Sequence, residues 1–145
     1  MNNATLIKSI LDLASQLSAL PNPATQEEWE RRWCRYVCDY GFEEAYEPDD
    51  VEYYDWRDIT SEMIAARMPR VIKPDAILYS NQDSIRLDTL AHYLKNSELF
   101  NKEPWFNTPY PVVVPWKQGY MVLDGTHRLL RDRLFDRESQ VIIYP

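Results

Sequence analysis

The stretch that decides the fold is residues 111–145, which read "PVVVPWKQGYMVLDGTHRLLRDRLFDRESQVIIYP". Two runs rich in β-branched and aromatic residues flank a short polar turn that contains Gly119, and this pattern predicts a β-hairpin. The second run stops at Asp124 and Gly125, where leucines at helical spacing begin and predict a helix. The last run, "QVIIY", follows that helix closely enough to return to the same sheet as a final strand.

Upstream of this stretch, the sequence predicts one further strand and helix of the same sheet. "VIKPDAILY" is typical of a strand with an irregular start. "SIRLDTLAHYLKN" carries apolar residues at three- and four-residue spacing and predicts a helix. A short helix that contains Glu62 is predicted before them, capped by Asp58 or Thr60 and extending to about Met68.

The N-terminal part is predicted to be helical. Leucines and isoleucines recur at helical spacing over residues 4–20, and Pro21 ends that helix. Thr25 and Glu28 have the spacing of a capping box, and Gly41 is the predicted end of the second helix. Its aromatic stripe is expected to pack against the first helix, so that the two form a helical hairpin.

These elements place the chain in the α+β class, as an N-terminal helical hairpin followed by a small mixed β-sheet packed with helices. Residues 1–69 are the helical extension, which includes an acidic aromatic loop, and residues 70–145 are the sheet domain. A chain of 145 residues has the length of about one domain. We therefore expect the two parts to form one compact unit.

The charge of the chain is acidic and unevenly distributed. The formal net charge is -7, and direct DNA binding is therefore not expected, because it relies on lysines and arginines that meet phosphates. Acidic and aromatic residues are concentrated between Asp39 and Asp58, where Arg57 is the only basic residue. Such a segment is either a solvated loop or a surface that binds a protein partner, including one that itself binds nucleic acid.

The sequence predicts a cytoplasmic protein without a membrane segment. The N-terminus has no basic region followed by an apolar core, and no stretch approaches about 18 consecutive apolar residues. Cys34 and Cys38 are expected to be two buried free thiols, since zinc sites and disulfide frameworks need further ligands or cysteines. No metal site is predicted from protein ligands alone.

The turn at residues 124–128 has the residue types of an anion site. A strand that runs directly into a helix leaves unpaired N–H groups at the positive end of the helix dipole. Gly125 allows a sharp turn and close approach of a ligand, while Thr126, His127 and Arg128 add hydrogen-bond donors suited to a phosphate. The alternative is equally open at this point: Arg128 pairs with Asp124 or Asp132, and His127 caps the turn.

The turn and its surroundings resemble the ParB/sulfiredoxin-like superfamily, whose members commonly have a strand, an Asp-Gly-x-His-Arg or Gly-x-x-Arg turn, a helix and a final strand. The resemblance covers residues 70–145, about half of the chain. It implies that Gly125, Thr126, His127 and Arg128 bind ATP or CTP, with Mg²⁺. Sulfiredoxins carry cysteine at the position of Thr126, so their thiol chemistry is not expected in this chain.

Two functions follow, and the sequence leaves open whether the protein is an enzyme. The first is a small nucleotide- or phosphate-binding protein, as an NTP hydrolase or phosphotransferase in which Asp124 or Glu62 is the base or an Mg²⁺ ligand. The second is a non-enzymatic interaction or inhibitor protein that uses its acidic aromatic segment. A nuclease is disfavoured, because His92 and His127 are the only histidines and lie far apart in the chain.

Overall fold

The computed structural model describes residues 3–43, 59–96, 106 and 108–144, which form a mixed α+β fold. The five α-helices of these residues are α1 (Ala4–Ser18), α2 (Gln26–Trp33), α3 (Ser61–Ala65), α4 (Leu87–Lys95) and α5 (Thr126–Leu134). The strands are β1 (Cys34–Tyr36), β2 (Arg70–Ile72), β3 (Leu78–Ser80), β4 (Ser84–Arg86), β5 (Val112–Trp116), β6 (Gly119–Asp124) and β7 (Ser139–Ile143). A 3-10 helix spans Val37–Tyr40.

The sheet is mixed, as expected, and has the strand order β2-β7-β5-β6-β3. Strands β5 and β6 form the predicted antiparallel hairpin, with Trp116 opposite Gly119. After α5, the chain returns as β7, which pairs parallel with β5 and antiparallel with β2. The prediction for residues 111–143 is therefore confirmed at the level of secondary structure and strand pairing.

The sheet has an apolar cluster on each side. The first cluster contains buried residues of α1, α4 and α5, among them Ile10, Leu90 and Leu130. The second contains Ile64 of α3 and Phe106. Because Ile10 of the N-terminal extension belongs to the same cluster as Leu130, the extension and the sheet share one core.

The second helix is shorter than predicted. It ends at Trp33, and residues 34–36 form β1, which pairs antiparallel with β4. The three-residue strand is stabilised by pairing with a distant part of the chain, which local helix propensity cannot indicate. Gly41 nevertheless adopts a left-handed conformation at φ +111° directly after the 3-10 helix.

Helix α1 packs chiefly against α4 and α5, so the predicted hairpin of the first two helices is not the main packing unit.

Two further segments differ from the predictions. "VIKPDAILY" is divided by a turn at Lys73–Ala76, and its two halves become β2 and β3 at opposite edges of the sheet. "SIRLDTLAHYLKN" begins as β4 before it becomes α4. Both differences come from short strands whose partners are far away in sequence.

The helix caps and the cysteines agree with the predictions more closely than the short strands do. Thr60 caps α3 by accepting a hydrogen bond from the Met63 N–H, and Thr25 caps α2 in the same way from Glu28. Cys34 and Cys38 are free thiols, although they are half-buried rather than fully buried. Among the helices that the structure describes, we find none with the length and apolar character needed to cross a bilayer.

Candidate functional site

The turn between β6 and α5 has the predicted position, and Gly125 has the sharp-turn conformation that was expected of it. Gly125 has φ +87°, a left-handed conformation that residues with a Cβ adopt at a cost. A Cβ on Gly125 would lie 2.8 Å from the Cβ of Pro111. The hydrogen of Gly125 therefore faces Pro111, and the left-handed backbone together with this close packing accounts for the glycine.

The start of α5 has no side-chain cap from its N-cap residue and no acidic residue in its first turn. Glycine at the N-cap has no side chain that could accept a hydrogen bond. The backbone N–H groups of Thr126, His127 and Arg128 therefore lie at the positive end of the helix dipole without a side-chain cap from Gly125. This is the usual geometry of a phosphate-binding helix start.

A cleft of about 220 Å³ adjoins this helix start, and we call it the Arg128 cleft. It is formed by the end of β6, the first turn of α5, the facing side of α4 and the segment before β4. Its lining residues are Gln82, Thr89, Tyr93, Leu123, Asp124, Gly125, Thr126, His127 and Arg128. The structure thus brings the four predicted binding residues and Asp124 together around one space.

Arg128 is a buried cation at this cleft. Its relative exposure is 3%. Burial lowers the pKa of Arg128 to about 10, and the neighbouring Arg131 guanidinium also lowers it, whereas Asp132 and Asp124 act in the opposite direction. The side chain is still protonated at neutral pH. A desolvated positive charge interacts with an anion more strongly than an exposed one does, because water screens it less.

His127 joins the beginnings of two helices. Its Nε2 accepts a hydrogen bond from the backbone N–H of Arg86, at 2.8 Å, and Arg86 is the N-cap of α4. Burial lowers the pKa of His127 to about 4, and the Arg86 guanidinium also lowers it, while Asp88 raises it. The ring is therefore neutral at pH 7, with its proton on Nδ1. Nε2 joins α5 to the start of α4, whereas the alternative interpretation had this histidine cap the turn at residues 124–128.

Arg131 of α5 and Arg137, which follows this helix, share Asp132, a partner that does not line the cleft. Asp132 accepts hydrogen bonds from the Nε atoms of Arg131 and Arg137 and from the hydroxyl of Ser139. Arg131 also lies over the ring of Tyr93, 5.7 Å from its centroid. Asp132 is thus engaged by three groups other than Arg128.

Arg133 has a role that the sequence did not indicate. Its guanidinium donates to the backbone carbonyls of Pro74, Ala76 and Gly41. Burial lowers the pKa of Arg133, against the raising effects of Asp75 and Glu43. Carbonyl acceptors can belong to any residue type, so no sequence pattern would have identified them.

The two carboxylates proposed as a base or Mg²⁺ ligand are placed differently. Asp124 is half-buried, ends β6 and lines the Arg128 cleft. Glu62 is exposed on α3, whose Ile64 packs in the apolar cluster on the other side of the sheet from α5. The structure therefore brings Asp124 to the predicted site and does not bring Glu62 there.

Two further features concern metal binding and the acidic aromatic segment. Within residues 3–43, 59–96, 106 and 108–144, no group of three or more His, Cys, Asp or Glu side chains is arranged to hold a metal ion. Asp124 is a single carboxylate at the cleft, which is compatible with Mg²⁺ only together with further ligands such as the phosphates of a substrate. Residues 44–58, which carry most of the proposed partner-binding segment, lie outside the described residues.

Four residues that line the cleft were not predicted from the sequence: Gln82, Thr89, Tyr93 and Leu123. Thr89 and Tyr93 are four residues apart on α4 and so share a helix face, and Gln82 precedes β4. Their spacing on one face was visible, but nothing in the sequence connected that face to α5.

A scan against protein-family models, a search of the curated proteins and a search of the solved structures each found no match.

Proposed function

We propose that the protein binds the phosphate of a nucleotide, or of another small phosphorylated ligand, in the Arg128 cleft. The observation that carries this proposal is that one cleft is bordered both by the buried Arg128 and by the first turn of α5, whose N-cap glycine provides no side-chain cap. Each group favours an anion for an independent physical reason. The helix start offers oriented N–H groups, and Arg128 offers a charged fork of donors.

The size of the cleft indicates which part of the ligand it holds. Pockets that enclose a drug-sized ligand measure about 300–1,000 Å³, and the Arg128 cleft is smaller, at about 220 Å³. It matches a phosphate group better than a whole nucleotide. In the proposed complex the phosphate lies against residues 125–128, and the nucleoside extends outside the cleft.

The resemblance of this turn to the ParB/sulfiredoxin-like superfamily supports the same proposal and suggests ATP or CTP with Mg²⁺ as the ligand. Mg²⁺ would neutralise phosphate charge, and Asp124 would coordinate it or accept a proton from an attacking hydroxyl or water. The reaction class that fits these groups is NTP hydrolysis or phosphoryl transfer. Thr126 replaces the cysteine of sulfiredoxins, so thiol chemistry is not part of the proposal.

Nucleotide-dependent thermal stabilisation tests the proposal. We expect ATP, CTP or inorganic phosphate to raise the unfolding temperature of the wild-type protein, because a ligand that binds only the native state stabilises it. Arg128→Gln should abolish this shift, and Arg128→Lys should retain part of it by preserving the charge without the fork. Arg31→Ala is a matched control, since Arg31 is largely exposed on α2. The absence of a shift with every common nucleotide and with phosphate would refute the proposal.

A further inference from the structure

A second concave surface lies away from the Arg128 cleft. It is an apolar groove of about 600 Å³ between α1 and the C-terminal end of α5, and we call it the α1 groove. Ile7, Leu11 and Phe135 contribute apolar surface, while Lys8 and Asp12 are among its charged residues. It shares no lining residue with the Arg128 cleft.

Helix α1 has more apolar surface than the core of one chain covers. Ile10 and Ala14 are buried against the core, at 3% and 5% exposure. Ile7 and Leu11 are one turn apart on the neighbouring stripe of the helix and are only half-buried. Phe135, across the groove, is 36% exposed. Among the described residues this is a continuous apolar strip along a helix, which is the type of surface that another helix covers.

The charges that α1 contributes to the groove are self-complementary, and the third charged lining residue, Asp136, belongs to the segment after α5. Lys8 and Asp12 form an exposed pair at 3.9 Å, one turn apart on α1. If a second α1 lies antiparallel across the groove, with a two-fold axis near residues 9 and 10, Lys8 of each copy lies beside Asp12 of the other. The same axis brings Ile7 beside Leu11 of the second copy. An isologous interface requires this kind of pattern, because the same patch must match itself.

We propose that the α1 groove is a homodimer interface, in which α1 of a second copy lies antiparallel across it. Nine residues line the groove, whereas a standard interface uses roughly 20–30 residues a side. Each copy also carries a net charge of -7, which adds mutual repulsion. The dimer is therefore weak and depends on protein concentration. The proposal is independent of the function proposed for the Arg128 cleft.

Sedimentation equilibrium of the full chain over a concentration series tests this interface. The wild-type average mass should rise from monomer towards dimer as concentration increases. Phe135→Glu should raise the dissociation constant by about tenfold or more, because a carboxylate would have to be buried in the interface. Leu6→Glu is the matched control: Leu6 is 42% exposed on the same helix but does not line the groove, and its substitution should leave the association unchanged.

A charge exchange at two exposed positions separates the interface from an effect on folding. Lys8→Asp should weaken the dimer by placing acids opposite acids, and the double variant Lys8→Asp with Asp12→Lys should restore it. Circular dichroism should show the same fold in all variants. A wild-type protein that is monomeric at every concentration would overturn the proposal and leave the groove to a different protein. Equal disruption by Leu6→Glu and Phe135→Glu, or failure of the double variant to restore association, would also overturn it.

Discussion

The Nε2 atom of His127 on α5 accepts a 2.8 Å hydrogen bond from the backbone N–H of Arg86, which is the N-cap of α4. This bond joins the starts of two helices whose residues line the Arg128 cleft. It requires an unprotonated Nε2, which agrees with a pKa of His127 lowered to about 4, mainly by burial. The geometry of the cleft is thus linked to the protonation state of one histidine.

Stability should therefore fall as the solution becomes acidic. The unfolded chain takes up a proton on His127 below its ordinary pKa of 6.5, and the folded protein does so only near pH 4. This histidine contributes stability that is fully present above pH 6.5 and is lost as the pH falls from 6.5 to about 4. We expect a loss of about 2 kcal/mol, since one pKa unit corresponds to about 1.4 kcal/mol and the ring is partly exposed. Urea unfolding at a series of pH values measures it.

The two histidines provide a matched pair of variants for that experiment. His127→Gln should flatten the pH dependence between pH 6.5 and about 4, because glutamine does not titrate. His92 is exposed on α4, and His92→Gln should leave the slope as it is in the wild-type protein. Equal slopes for His127→Gln and the wild-type protein would show that His127 is not the group responsible.

The turn before α5 should tolerate substitution poorly. Gly125→Ala requires both a left-handed backbone for a residue with a Cβ and movement of Pro111, whose Cβ lies 2.8 Å from the added atom. We expect a loss of about 2–4 kcal/mol in the free energy of unfolding. Gly41→Ala has the same backbone cost, but its nearest neighbour is the Cδ of Arg133 at 4.0 Å. It should lose about 1 kcal/mol, and a larger loss at Gly41 than at Gly125 would contradict this explanation.

Asp132 should be among the most sensitive charged residues. It is 7% exposed and accepts hydrogen bonds from Arg131, Arg137 and Ser139. Asp132→Asn leaves a buried guanidinium without its counter-charge, which costs about 3–5 kcal/mol. Asp12→Asn removes an exposed ion pair and should cost at most about 0.5 kcal/mol. Denaturant midpoints of the two variants measure the difference, and similar midpoints would refute a supporting role for Asp132.

The parts of the fold that the sequence predicted correctly have a clear hydrophobic period. Residues 111–143 alternate between runs of β-branched residues and leucines at helical spacing, and both periods are visible without any partner. β1 and β4 were missed because each has only three residues. They are stabilised by pairing with each other across about fifty residues of chain. Local propensity has little influence on such short strands.

The part of the candidate site that consists of consecutive residues was predicted from the sequence. Residues 124–128 are consecutive, so the strand-to-helix turn alone was sufficient to place them together. The contribution of α4 was not predicted, because the contacts of Tyr93 with Arg131 and of Arg86 with His127 depend on how two helices pack. The role of Arg133 was not predicted because its partners are backbone carbonyls, which every residue type has.

The measurement that tests the central proposal most directly is a titration of the ¹⁵N-labelled protein with ATP, CTP and inorganic phosphate, followed through the backbone amide signals. The amides of Thr126, His127 and Arg128 should shift the most, because their N–H groups would donate to the phosphate. Arg128→Gln should remove these shifts. Shifts confined to other parts of the protein, or no shift with any of the three ligands, would contradict phosphate binding at the Arg128 cleft.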